Sequence, residues 1–166
     1  MADALLVGAE ELENLGTRYL AAVLRQAGYD VQLAAFSTEE EMQAVVRRAA
    51  LLQPRLVGLS IIFQYRALEF MKLAAALRQA LPKAHITAGG HFPTFTAPEL
   101  LRDTPALDSI VRGEGEHTLL ELVDNLNRPD RWREIRGLSF REDGKVIENQ
   151  ARPLVADLDT IPFAAR

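Results

Sequence analysis

The chain has 166 residues, 48% of them hydrophobic and 25% charged, the composition of a globular domain able to bury roughly 70% of its extended surface. Its formal charge of −4 gives no electrostatic reason to expect nucleic acid, whose binding usually shows as a basic face. No apolar run approaches the ~18 residues of a membrane span and no secretory leader is evident, so a cytoplasmic protein without membrane contact is expected. The absence of cysteine excludes a disulfide framework, a thiolate zinc site, a cysteine nucleophile and an iron–sulfur cluster held by these residues.

Ala4-Leu5-Leu6-Val7 reads as a strand that passes through Gly8-Ala9-Glu10-Glu11 into a helix with Leu15, Tyr19, Leu20, Val23, Leu24 and Ala27 on one stripe. Gly28 stops that helix. Val31, Leu33 and Ala34 form a second strand, and Thr38 with Glu41 has capping-box spacing before a helix that turns Met42, Val45, Val46 and Ala49 inward. Leu56 to Ile62 is a continuous apolar run, as in a central strand buried on both faces. A third helix carries Leu68, Met71 and Ala75, and Ile86-Thr87-Ala88 leads to Gly89-Gly90. Pro98 suits a first helical turn, Leu107 to Val111 supplies a fifth strand, and Leu119, Leu122, Val123 and Leu126 mark the last amphipathic helix.

Successive strand–helix units of this kind predict an α/β, three-layer, doubly wound sheet of five parallel strands with right-handed crossovers. After Asn127 the pattern changes. Gly137 to Phe140 and Lys145 to Ile147 flank Asp143-Gly144, a hairpin signal, and the tail from Arg152 to Phe163 reads as a connector. The expected division is therefore 1–127 for the sheet domain and 128–166 for a hairpin appendage with its connector.

In an open parallel sheet, ligands collect at the carboxyl ends of the strands near the reversal of strand order. Ser60, Gly89-Gly90-His91 and Arg112-Gly113-Glu114-Gly115-Glu116 fall at such ends and are candidates for one crevice. Each also has a structural reading. Ser60 fits a satisfied core hydroxyl, the glycine pair fits a strand end with unusual φ, and Glu116 fits an acidic helix start. The glycines of the last segment let the chain turn sharply and present backbone N–H groups to an anion. His85 and His117 read as hydrogen-bonded residues, while His91 stays a ligand candidate through its position. A phosphoacceptor domain needs an aspartate where Ser60 stands and a lysine where Arg112 stands, and no phosphate-binding loop or nucleophile elbow is present.

At these residues the sequence resembles the amino-terminal cobalamin-binding domain that precedes many radical S-adenosylmethionine enzymes. Asn14-Leu15-Gly16 with Tyr19 to Leu24, Val57-Gly58-Leu59-Ser60, Gly89 to Thr94, Val111 to Glu116 and the ending Leu158 to Phe163 follow in that family's order. The resemblance implies the flavodoxin-like strand order 2-1-3-4-5, and cobalamin contacts at Glu13, Asn14, Gly16, Ser60, Ile61, Gly89, Gly90, His91, Arg112, Gly113, Glu114 and Gly115. Aligning Gly16 with the glycine of the Asp-x-His-x-x-Gly motif of methionine synthase and mutase domains puts Glu11 at the aspartate and Glu13 at the histidine. No imidazole stands there, which implies base-off cobalamin without a histidine lower ligand.

The resemblance also implies a radical S-adenosylmethionine domain in cis, absent from this chain, that holds S-adenosylmethionine and a [4Fe-4S] cluster. That domain would carry out methyl transfer, or a cyclisation or oxidation as in tetrapyrrole biosynthesis. Two alternatives are a vestigial domain that binds no cofactor and serves substrate recognition or docking, and a flavin- or nucleotide-binding flavodoxin-like protein.

Overall fold

The computed structural model describes residues 2–9 and 14–165, so Glu10, Glu11 and the candidate Glu13 lie outside the described residues. Strands β1 (Ala4–Ala9), β2 (Val31–Phe36), β3 (Leu56–Ser60), β4 (His85–Gly89) and β5 (Ser109–Val111) alternate with helices α1 (Leu15–Gln26), α2 (Glu39–Leu52), α3 (Ala67–Ala80), α4 (His91–Phe95) and α5 (Ala97–Asp103). Helix α6 (Glu116–Asp124) precedes the hairpin strands β6 (Leu138–Glu142) and β7 (Lys145–Glu148). All belong to one 7-stranded sheet of order β2-β1-β3-β4-β5-β6-β7.

The parallel part has the expected order. The hairpin, expected as an appendage, continues the sheet: β6 pairs antiparallel with β5, setting Val111 against Leu138 and Ser109 against Phe140. Leu138 and Phe140 are buried beside α6, so the added strand shares the core of the parallel sheet. Its tight turn uses positive φ at Asp143 (49°) and Gly144 (74°), as that dipeptide favours.

Pleat alternation sorts the core into two clusters. Leu5, Val7, Val57, Leu59, Ile86 and Ala88 face α2, α3 and α5, whereas Ala4, Leu6, Leu56 and Val111 face α1 and α6. The Thr38–Glu41 capping box forms as its spacing predicts.

Two helix faces differ from the expected stripes. Helix α3 buries Ala67, Phe70, Leu73, Ala74 and Leu77, while Leu68 is 78% exposed and Ala75 is also exposed. The register is set by Phe70, whose ring meets Phe36 at 5.0 Å between centroids. Helix α1 buries Thr17 and Ala21 to Leu24, leaving Leu15 52% exposed and Ala27 exposed at the helix end.

Gly90 has φ +103°, and a Cβ there would stand 2.7 Å from the Ile61 carbonyl oxygen. Left-handed strain and a backbone clash therefore coincide at this residue. Gly90→Ala is expected to cost about 3 kcal/mol or more in urea unfolding, against about 1–2 kcal/mol for Gly28→Ala, which has φ +92° and no atom within 4 Å.

Candidate functional site

The paired register aligns Ser60 with Gly89 and Gly89 with Val111, bringing three strand ends level. Gly58, Ser60, Thr87 and Gly89 all lie on the sheet face covered by α1 and α6. Their small side chains leave that face low, and a slot of about 160 Å³ remains between it and the first turns of the two helices. Gly16, Ser60, Gly89, Gly90, Gly113, Glu114 and Gly115 all line this slot, joined from above by Thr17 and Leu20. A Cβ at Gly115 would lie 3.2 Å from both Leu20 Cδ2 and Val111 Cγ1, so the slot closes further with any larger residue there.

Asn14 fastens one end. Its Oδ1 accepts the Thr17 N–H at 3.2 Å, capping α1, and its Nδ2 donates to Ser60 Oγ at 3.4 Å. This requires glycine at position 8, where a Cβ would stand 2.4 Å from Asn14 Nδ2. Gly8 is thus a site residue that the sequence reading did not single out. Its signal was a glycine near the end of the first strand.

At the other end, Gly113 takes φ +72° and donates its N–H to Thr94 Oγ1 at 3.0 Å. Glu114 Oε2 accepts the Val155 N–H at 2.6 Å, tying the turn to the carboxy-terminal segment. Gly115 caps α6 without a side-chain hydrogen bond, and Glu116 Oε2 is buried there with no hydrogen-bond partner.

Asn14 touches the slot only through Ser60, and three further candidates turn away from it. Ile61 is fully buried and points into the α2–α3 cluster, because it follows Ser60 by one residue and the pleat reverses its direction. Its backbone is engaged too, donating to Gly89 O at 2.8 Å and accepting from Phe92 N at 3.3 Å. His91 is exposed at the start of α4, its ring edge-on to Phe95 at 5.4 Å. Arg112 turns toward the hairpin, where it donates to Asn149 O and lies 3.9 Å from Glu148.

Beneath α6 a polar ladder runs from the slot to the opposite edge of the sheet. Thr87, which lines the slot, donates to Ser109 O at 3.2 Å and accepts from Ser109 Oγ at 2.8 Å. Both hydroxyl protons are then committed, so His85, with Nε2 at 2.8 Å from Ser109 Oγ, completes the ladder as the donor. The ring packs edge-on to Trp132 at 5.0 Å. Desolvation by burial lowers the His85 pKa to about 4, with Asp108 opposing and Arg78 assisting the shift. Among the described residues no group of three or more His, Asp or Glu side chains is placed to hold a metal ion. No helix among them is long and apolar enough to cross a membrane.

A family model described as the B12 binding domain matches residues 3–123. An uncharacterized methyltransferase of Pyrococcus horikoshii is 34% identical over 155 residues, covering 90% of this chain and 32% of the relative. An anaerobic magnesium-protoporphyrin IX monomethyl ester cyclase of Synechocystis sp. is 33% identical over 153 residues, covering 90% of this chain and 30% of the cyclase. The chain thus spans about a third of the length of these relatives. Among solved structures, the cobalamin-dependent S-adenosylmethionine radical enzyme OxsB with aqua-cobalamin bound superposes with a TM-score of 0.79 at 25% identity, over 93% of this chain and 23% of that one. The radical S-adenosylmethionine methyltransferase TsrM from Kitasatospora setae shares the fold, with a TM-score of 0.76 at 16% identity over 89% of this chain and 30% of that one.

The buried ladder predicts a pH dependence. His85 stays neutral in the folded chain down to about 4 but titrates near 6.5 when unfolded, so stability is complete above 6.5 and is lost as pH falls toward 4. The displacement from 6.5 to about 4 corresponds to at most about 3 kcal/mol. Urea unfolding from pH 7 to pH 4 is expected to show that loss, and His85→Gln to flatten this part of the profile.

Proposed function

Because the chain belongs to the B12 binding domain family, we propose that it holds a cobalamin at the carboxyl edge of the sheet, as one module of a longer radical S-adenosylmethionine enzyme. The observation that carries this reading is the slot between α1 and α6, floored by Gly58, Ser60, Thr87 and Gly89. At about 160 Å³ it is smaller than the roughly 300–1,000 Å³ of pockets that enclose a whole drug-sized ligand. A macrocycle cannot enter it. The size of the slot matches the benzimidazole end of the nucleotide arm of cobalamin, with the ring system resting on the rim above.

The residues present fit that division. Ser60 and Thr87 offer hydroxyl oxygens inside the slot, and the glycine turn Gly113 to Gly115 brings backbone close to the ligand. Around the carboxyl edge, Leu15, Ile62, Phe63, Tyr65 and Phe95 are all exposed, forming an apolar rim suited to a large ring system. When bound, the cofactor supplies a cobalt centre able to carry and release an alkyl group, while this chain orients it and limits access of water.

The base-off form rests on the aligned motif, which has Glu13 where a histidine ligand would stand. His85 lies at the opposite edge of the sheet, and neither His91, beside Phe95 on the rim, nor His117, in the first turn of α6, lines the slot. We assign the whole protein a methyl transfer or cyclisation on the strength of its relatives' names. In this reading the segment after β7 leads to a catalytic domain that holds S-adenosylmethionine and a [4Fe-4S] cluster.

The purified chain mixed with hydroxocobalamin should retain corrin absorbance after desalting. Ser60→Leu, which places a larger side chain on the floor of the slot, is expected to weaken retention by roughly tenfold or more. Binding of cobinamide, which lacks the nucleotide arm, should change little. An electron paramagnetic resonance spectrum of the reduced cobalt without nitrogen splitting would support the base-off form, and clear nitrogen splitting would overturn it. Absence of any retained corrin in folded protein would favour a docking domain instead.

A further inference from the structure

A second cleft opens at the opposite edge of the sheet, where the strands begin. Its volume is about 880 Å³, within the roughly 300–1,000 Å³ range of small-molecule sites. The turns entering β3 and β4 form two sides, and Trp132, from the 3-10 turn Pro129–Glu134, forms part of a third. Nothing in the corrin reading uses this cleft.

Its charge is opposite to that of the chain. Arg55, Arg78, Lys83 and Arg141 line it against a single carboxylate, Asp108, in a protein of formal charge −4. Asp108 is already engaged, accepting from Arg78 Nη2 at 2.5 Å and from the Ile86 N–H at 2.7 Å. Arg141 is held by the carbonyls of Leu101, Thr104, Pro105 and Leu107, which fix its position without cancelling its charge. Lys83 is exposed and has no ion pair among the described residues. Arg55 has only Asp3 at 3.6 Å, and both side chains are about a third exposed. A cleft walled by one sign of charge concentrates counter-ions of the other.

The cleft is also aromatic. Trp132 is fixed edge-on between His85 at 5.0 Å and Phe140 at 5.7 Å, and its indole N–H is satisfied by Asn125 O at 2.9 Å. A held indole with no donor to spare offers apolar contact, and Leu126 adds to it.

We propose that this cleft is a second ligand site, for a small organic phosphate carrying a planar ring. A nucleotide is the class that matches, with its phosphates between Arg55 and Lys83 and its base against Trp132. The ladder from His85 through Ser109 to Thr87 gives such a ligand a physical connection to the slot.

Trp132 is the only tryptophan in the chain, so its emission reports occupancy directly. Adenosine diphosphate titrated into the cofactor-free chain should give a saturable quench, competed by inorganic phosphate, while adenosine alone should bind at least roughly tenfold more weakly. Lys83→Glu and Arg55→Glu should each raise the Kd by roughly tenfold or more, with circular dichroism and hydroxocobalamin retention unchanged. No saturable response at millimolar adenosine diphosphate would overturn the proposal, as would equal binding by the parent chain and both variants. Because corrin retention is read in the same preparations, failure here is distinguishable from failure of the corrin reading.

Discussion

A parallel sheet whose central strands carry glycine and hydroxyl residues on one face cannot be closed by the helices laid over it. Gly58 and Ser60 on β3, with Thr87 and Gly89 on β4, leave α1 and α6 nothing bulky to interlock with at the carboxyl end. Leu6 fills part of the space, its Cδ2 lying 2.7 Å from where a Cβ on Gly58 would stand. The remainder is the slot. An interior normally packs to crystal-like density, and each buried methylene left out costs about 1 kcal/mol, so an unfilled space at this point is a feature the chain sustains against its own stability.

The other face supports that cost. There Leu5, Val7, Val57, Leu59, Ile61 and Ile86 pack against α2 and α3, all 2% exposed or less, with Phe36 and Phe70 in ring contact. Arg66, only 4% exposed, lies over the Phe36 ring at 5.1 Å and donates to the Phe36 carbonyl at 3.3 Å. The closely packed half of the molecule therefore fixes the strand ends in register, and the other half carries the slot. Ile61 shows how sharply the pleat divides the two: one residue beyond Ser60, it belongs wholly to the packed side.

Much of this was legible because the signals were local. Apolar runs alternating with amphipathic segments gave the parallel strand–helix units, the family resemblance gave their order, and glycine or serine at successive strand ends gave the rim of the slot. What escaped depended on partners distant in sequence. The face of α3 follows Phe36, some thirty residues away, and an Ala/Leu-rich helix has neighbouring stripes that periodicity alone cannot rank. Arg112 was placed in the crevice by its neighbours, yet its guanidinium follows Asn149 on the far side of the hairpin. Gly8 is required by the Asn14 side chain, a contact that exists only once α1 has been capped and turned back over β1.

The carboxy-terminal segment completes the geometry. After β7, Arg152 donates to Thr118 Oγ1 at 2.8 Å and pairs with Glu121 at 2.7 Å, Val155 is held by Glu114, and the Ala165 N–H reaches Arg18 O at 3.0 Å. These contacts run along α6 and then to α1, the two helices that border the slot. Glu114 therefore serves both the turn that lines the slot and the segment strapped across the helices. One side chain thus joins the glycine turn at the slot to the connector, through the Val155 N–H that Glu114 Oε2 accepts at 2.6 Å.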